Sequence, residues 1–472
     1  MAGYFQIGEK KVRPGSYFHI INNGDESTSD IINGVTAIVF KSDFGPLGKA
    51  SVLTAEEGYK ELYGTGGTTD AIDQAIKGGA KTIIACRLGS GGTESSVTLK
   101  GKVGTGDEEN VITIKTRYPG SKAFTVTIKE KLTDTTMKQA VFYEGTTEFN
   151  TVEFPSGEGE AQALADALEY NSTFVAAVTE GKGEAVLSAA SQSAFTGGTD
   201  PTITNADYSE AFLQIEPYQI NTICVDSNDI AIHTLLHAFI QRVYENGNLC
   251  IGVIAEAKTT AYDTRLAHAK SYNDERMVYV LNASAYEGDT LISGYQVAAR
   301  MAGLIGAISS AQSLTHYVLQ GITDIAENLP NGKIITALKS GCFVLSLNSD
   351  NQVWVEQGIT TLVNPPEDRD SGWKKIRRTK TRFELLRRCN DKTDKIIGKV
   401  NNDANGRKTV IGKLLEVGDE MVSEGKIVSL IAYEDPQNVS DGDTAYFKID
   451  VIDMDSIEHI YSVYGFQFSV NA

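Results

Sequence analysis

Apolar runs bounded by glycine and polar turns recur along this chain with two different periods, and the periods divide it. Val35 to Phe40 is an almost unbroken apolar run, which predicts a strand buried on both faces. The turn Phe44-Gly45-Pro46-Leu47-Gly48 follows it, then a helix beginning near Thr54-Ala55-Glu56-Glu57 and a second opening at Asp70. The run from Lys81 to Leu88 reads as the next strand and closes a β-α-β unit. From about Thr93 to Asp200 the period changes to two. Segments such as Val111 to Arg117 and Phe124 to Leu132 alternate apolar with polar between Gly, Asp and Thr turns, with one helix near Glu160 to Tyr170.

The α/β rhythm returns after the linker Gly197-Gly198-Thr199-Asp200-Pro201. Strands are expected at Ile220–Val225, Leu249–Ala255 and Arg276–Ala283, with a helix after Asp229. The helical segment from Tyr295 to Ser310 is apolar nearly all round, which places it in a core or between subunits. Beyond Lys333 come strands at Gly341–Ser349 and Gln352–Leu362, a basic stretch, a helix near Ile411–Gly425 and three closing strands, at Ile427–Glu434, Thr444–Asp455 and His459–Val470. At the other end, Arg13, Pro14 and Gly15 read as an extended arm, because Pro14 removes a backbone donor and biases Arg13 toward extended conformation.

Composition narrows the choice. At 472 residues, 41% hydrophobic and 22% charged, the chain is a multi-domain globular protein. The N-terminal stretch lacks the apolar segment of a secretion signal, and no run approaches the roughly 20 apolar residues of a membrane span. A cytosolic origin is therefore expected. Five scattered cysteines without a CxxC pair point to small core residues in a reducing compartment. The net charge of −18 disfavours nucleic acid and anionic membranes as partners. Yet Lys374 to Lys413 holds fourteen Lys and Arg against four Asp and Glu, an asymmetry that calls for a partner.

Catalytic signals are weak. His233 and His237 have the i, i+4 spacing of metal ligands but no Glu between them, so ordinary helix residues are the better reading. Gly303-Leu-Ile-Gly306 and Gly89-Ser-Gly91-Gly92 lack the strand-to-helix setting of a nucleotide loop, and Asp226-Ser227-Asn228-Asp229 reads as a helix cap. No catalytic, cofactor or metal residue is assigned.

Taken in order, several segments resemble the tail sheath protein of contractile phage tails, phage-tail-like bacteriocins and defective prophage particles. They are Val12-Arg13-Pro14-Gly15-Ser16-Tyr17, the strand and turn from Val35 to Gly48, the Gly-rich inserted β region, and the block from Gly341 onward. That block contains Trp373-Lys374-Lys375-Ile376-Arg377-Arg378 and, later, Asp453, Met454, Asp455, Ile457, Glu458, Ile460 and Tyr461. The resemblance implies a non-enzymatic subunit, made in the bacterial host cytoplasm, that assembles into a tail or tail-like particle released on lysis. In that family, hexameric rings stack around an inner tube and contract to drive it through a target envelope. Partners would be copies of itself, the inner tube protein, and baseplate and tail terminator proteins.

The expected fold is α/β plus α+β: an N-terminal arm at 1–20, a discontinuous α/β core at 21–94 and 201–332, an inserted β-rich domain at 95–200, a C-terminal α+β domain at 333–455 and a C-terminal arm at 456–472. The arms, with Val12, Arg13, Pro14, Gly15, Tyr17, Ile460, Tyr461, Val463, Phe466 and Phe468, would add strands to neighbouring copies. Lys374, Lys375, Arg377, Arg378, Lys380, Arg382, Arg387 and Arg388 would face an acidic tube, the alternatives being a solvated face, pairing with the chain's own acid, or nucleic acid, which the sparse aromatics (Trp373 and Phe383) and the acidic remainder disfavour. Two rival functions stay open: an α/β enzyme with its site at the strand ends near Val225 and Ala255, and a non-contractile virion or surface-layer protein.

Overall fold

The computed structural model describes residues 3–4, 17–18, 33–54 and 56–467. The chain has a mixed α and β fold whose centre is a seven-stranded sheet. In spatial order its strands are Cys342–Phe343, Met277–Val280, Ile251–Ile254, Thr222–Val225, Val35–Phe40, Thr82–Arg87 and Ala50–Leu53. Every neighbouring pair is parallel except the last, in which Ala50–Leu53 runs against Thr82–Arg87.

Because successive side chains alternate across a strand, Ile38 and Phe40 enter one apolar layer while Ala37 and Val39 enter the other. The first layer is closed by helices Asp70–Gly78 and Gly294–Ala307, the second by Asn205–Ile215, Ile230–Glu245 and Tyr262–Tyr272. Covering on both faces is why these strands read as continuous apolar runs. Helix Gly294–Ala307 is buried from Val297 to Gly306. Its Gly303 lets helix Asp70–Gly78 cross closely: a Cβ there would stand 2.0 Å from the Ala75 carbonyl oxygen. That glycine serves helix packing.

Residues 96–194 form two four-stranded antiparallel sheets around one aromatic core, in which the Phe142 and Phe174 rings stack at 4.0 Å. The chain enters and leaves this unit side by side, through bridges Ser90↔Thr202, Thr93↔Thr199 and Ser96↔Thr196. Arg87, fully buried at the end of its strand, ties the unit to the central sheet. Its guanidinium donates to the carbonyls of Ser42 (2.7 Å), Gly45 (2.8 Å) and Pro119 (2.8 Å).

Three expectations need correction. The central sheet takes its last strand from Cys342–Phe343, so the α/β core continues past residue 332. The run Gly341–Ser349 is two strands: Leu345–Leu347 leaves the central sheet to pair with Val353–Val355. The third closing strand is absent among the described residues, since 454–467 contains no strand. At the other end, Gly3–Tyr4 pairs in parallel with Tyr17–Phe18, whereas Val12, Arg13, Pro14 and Gly15 lie outside the described residues.

Candidate assembly surface

The basic stretch folds into helix Ile376–Asp394, followed by helix Ala404–Ser423 and the hairpin Ile427–Glu434/Phe447–Asp453. Leu385, Cys389, Leu414, Val417, Met421, Ile427 and Ala432 form the small core that holds these elements together. One side of the hairpin packs on helix Ala404–Ser423, whose Gly418 makes room for Leu430. Val428, Ile431 and Ile452 are exposed. Among the described residues the hairpin is a sheet of two strands alone, so both outer edges carry unpaired backbone groups.

The tail that follows is pinned at its root and free beyond it. Lys375 pairs with Asp455 at 2.8 Å and with Glu458 at 3.4 Å. The Glu458 carboxylate, only 5% exposed, also accepts from Thr315 Oγ1 (3.1 Å), Gln357 Nε2 (3.1 Å) and Ser313 Oγ (3.3 Å). Burial pushes this carboxyl up, but the Gln357 amide, the Lys375 ammonium and the Thr315 hydroxyl outweigh it and hold it below the ordinary glutamate range. On either side, Ile457 is 85% exposed and Ile460 80%, and Tyr461, Val463, Tyr464 and Phe466 are bare as well. Phe468 lies outside the described residues. Contiguous exposed apolar residues of this kind mark an interaction segment.

The eight basic residues expected to face a tube do not form an outward surface. Lys380 is buried, and its ammonium donates to the carbonyls of Ile305 and Ile308 at the end of helix Gly294–Ala307. It thereby satisfies carbonyls that a helix end leaves orphaned. Burial pushes Lys380 down to about 7 against the pull of Glu384. Arg387 donates to the carbonyls of Ile220 and Leu249. Arg388 pairs with Glu424 at 2.8 Å and with Glu384, which Lys426 also meets at 2.7 Å.

Arg378 bridges Asp370 (2.6 Å) and Asp453 (2.7 Å), while Arg382 lies over the Trp373 ring at 3.9 Å. Arg377 is buried, and Lys374 and Lys375 are half-buried. Pairing with the chain's own acid, with backbone carbonyls and with an aromatic ring accounts for much of the charge excess. It corrects the tube-facing assignment for Arg377, Lys380, Arg387 and Arg388, whose side chains are turned inward.

The groups weighed as catalytic are drawn into separate internal contacts. His233 is buried with Nε2 2.8 Å from the Ser227 carbonyl, whereas His237 meets Asp274 at 2.9 Å. Asp229 caps its helix by accepting from the Ala231 amide. At the strand ends, Asp226 accepts from Tyr208 (2.7 Å) and Thr68 (2.5 Å), and Glu256 meets His268 (2.7 Å) and Tyr279 (2.9 Å). Among the described residues no group of three or more His, Cys, Asp or Glu side chains is placed to hold a metal, and no helix is long and apolar enough to cross a membrane.

Glu458 is the site residue that sequence reasoning did not single out for a role. Ser313, Thr315 and Gln357 lie 101 to 145 positions away and Lys375 is also distant in sequence, so no spacing rule connects them. The available signal was a lone carboxylate in an otherwise apolar, aromatic terminus.

The fold is similar to those of solved tail sheath proteins, and residues 202–361 match the family model of the phage tail sheath protein central domain. This central part of the chain is therefore similar to a tail sheath central domain. Over 377 residues the chain is 25% identical to the phage-like element PBSX protein XkdK of Bacillus subtilis (strain 168), covering 76% of this chain and 75% of that one. The fold matches the sheath tail protein DSY3957 of Desulfitobacterium hafniense with a TM-score of 0.67 at 21% identity, covering 93% of this chain and all of the other. It also matches the helical sheath of the anti-feeding prophage in its contracted state, with a TM-score of 0.56 at 10% identity over 92% of this chain and 93% of that one.

Proposed function

We propose that this chain is the subunit of a contractile tail sheath, polymerising with copies of itself as stacked six-membered rings around an inner tube and shortening to drive that tube through a target envelope. One observation carries the reading beyond the fold. A two-stranded sheet with open edges stands on the same body as an apolar tail that leaves that body uncovered. Strand addition between copies satisfies both at once, because backbone hydrogen bonds are directional and indifferent to side-chain identity. Such links hold subunits together while their rigid bodies swing between two packings.

The inner tube, baseplate and tail terminator are the further partners of this proposal, and assembly occurs in the host cell before release in a tail or tail-like particle. With much of the stretch from Lys374 to Arg388 turned inward, the tube contact falls to the exposed lysines beyond it, Lys395, Lys399 and Lys408. Releasable contact suits exposed ammonium groups, each contributing about 0–1 kcal/mol and weakening with salt. Electron microscopy of the purified chain, alone and with its tube protein, tests the proposal. Tubes with a helical repeat support it. Flat lattices favour a surface-layer protein, and a permanently small species removes the sheath reading.

A further inference from the structure

The tail is not simply loose, because one buried carboxylate decides where it leaves the body. Ile457 and Ile460 are both turned to solvent, yet Glu458 between them is 5% exposed and is gripped from three separate parts of the fold. Ser313 and Thr315 come from the loop after the long buried helix, Gln357 from the segment after the Val353–Val355 strand, and Lys375 from the N-cap of the basic helix. Neutral and charged donors converge on both oxygens, an arrangement that sets direction as well as position. Every other residue from Ile457 to Gln467 is exposed, so the grip ends at this side chain.

We infer that Glu458 is a positioning residue for self-assembly. Held between Ser313, Thr315, Gln357 and Lys375, it fixes the exit point and heading of the C-terminal arm, and hence the register in which a second copy of this chain receives it. The inference rests on the proposed sheath function. Register matters because shifting a strand by one residue turns every side chain to the opposite face, and this arm is apolar and aromatic. A fixed root also limits the space the arm explores, raising its effective concentration at a neighbouring edge.

The test uses the full-length chain with E458A, with E458Q, which keeps the length but loses the acceptor charge, and with E458D, which keeps the charge. Amide exchange of 455–460 in the unassembled protein reads the grip. In E458A and E458Q it rises about tenfold or more, while exchange in the central sheet strands and circular dichroism stay as in the wild type. Polymer yield and helical regularity by sedimentation and electron microscopy then read the register. E458Q gives about tenfold fewer ordered polymers, and E458D recovers part of that loss.

Unchanged exchange in E458A and E458Q overturns the grip. Raised exchange with wild-type polymers overturns the positioning role. If E458A does not fold, T315V removes one donor from the opposite side and is judged by the same two readouts. Should the wild-type chain itself form no polymer, the sheath proposal fails, while the exchange measurement still decides whether Glu458 anchors the tail.

Discussion

Lys380 shows how a single side chain can be misread from charge alone. In the sequence it belongs to a block of positive residues; in the fold it is a cap, its ammonium meeting the carbonyls at the end of helix Gly294–Ala307. K380M keeps much of the stem and removes the donor, leaving buried carbonyls unpaired at a cost of about 1–3 kcal/mol. A lowered melting temperature checks this, and an unchanged one refutes the capping role. Charge reversal at Arg387 and Arg388 is likewise expected to destabilise the free subunit, with tube binding at the surface lysines affected only secondarily. Comparing melting and tube co-sedimentation across both sets of variants separates the two effects.

Glu458 gives a residue-scale pH dependence whose sign follows from its environment. Its folded value lies below the ordinary glutamate range, so the stabilisation is present above that range and is lost as pH falls through the folded value. The charged groups facing it are Lys375, Asp455 and the nearby Arg377. Protection of 455–460, corrected for intrinsic exchange, should therefore fall as the pH drops below the ordinary glutamate range in the wild type. In E458Q the same segment should show little further change over that interval.

At the scale of elements, legibility followed burial. Val35–Phe40, Thr222–Val225 and Ile251–Ile254 could be read because strands covered on both faces are apolar throughout. The helix from Gly294 was legible for the same reason. What lay outside reach were partners distant in sequence: that the run at Gly341 divides between two sheets, and that the basic helix would pack inward. The terminal run from His459 carries a strand's alternation yet is no strand in the single chain through residue 467, because hydrogen-bonding partners are a property of the surroundings and not of the segment. Gly303 offers a test at this scale. G303V places its Cβ about where the Ala75 carbonyl stands, and overpacking of this kind costs about 1–3 kcal/mol or more. Reduced thermal stability without loss of secondary structure is the expected result; full stability would mean that the two helices do not cross as closely as described.

For the whole molecule, the proposed arms and body divide the labour between linkage and rigidity. Removing residues 456–472 should leave a folded subunit with a modestly lowered melting temperature, since the contacts of Glu458 go with them while the small C-terminal core is built from residues before 452. Its polymers should be absent or short by electron microscopy, and sheath-length tubes from the truncated chain would refute the arm role. The negative charge of −18 over the whole chain fits a body that stays dispersed until its arms engage.

The paired strands of chain at Thr93 and Thr199 give the β unit a doorway only one ladder wide. A segment that enters and exits at adjoining points can be excised, or exchanged for another compact fold, without altering the distance its host must span. Evolution could thus vary this portion as freely as an accessory bolted to a machine, while the parts that bind copy to copy stay unchanged.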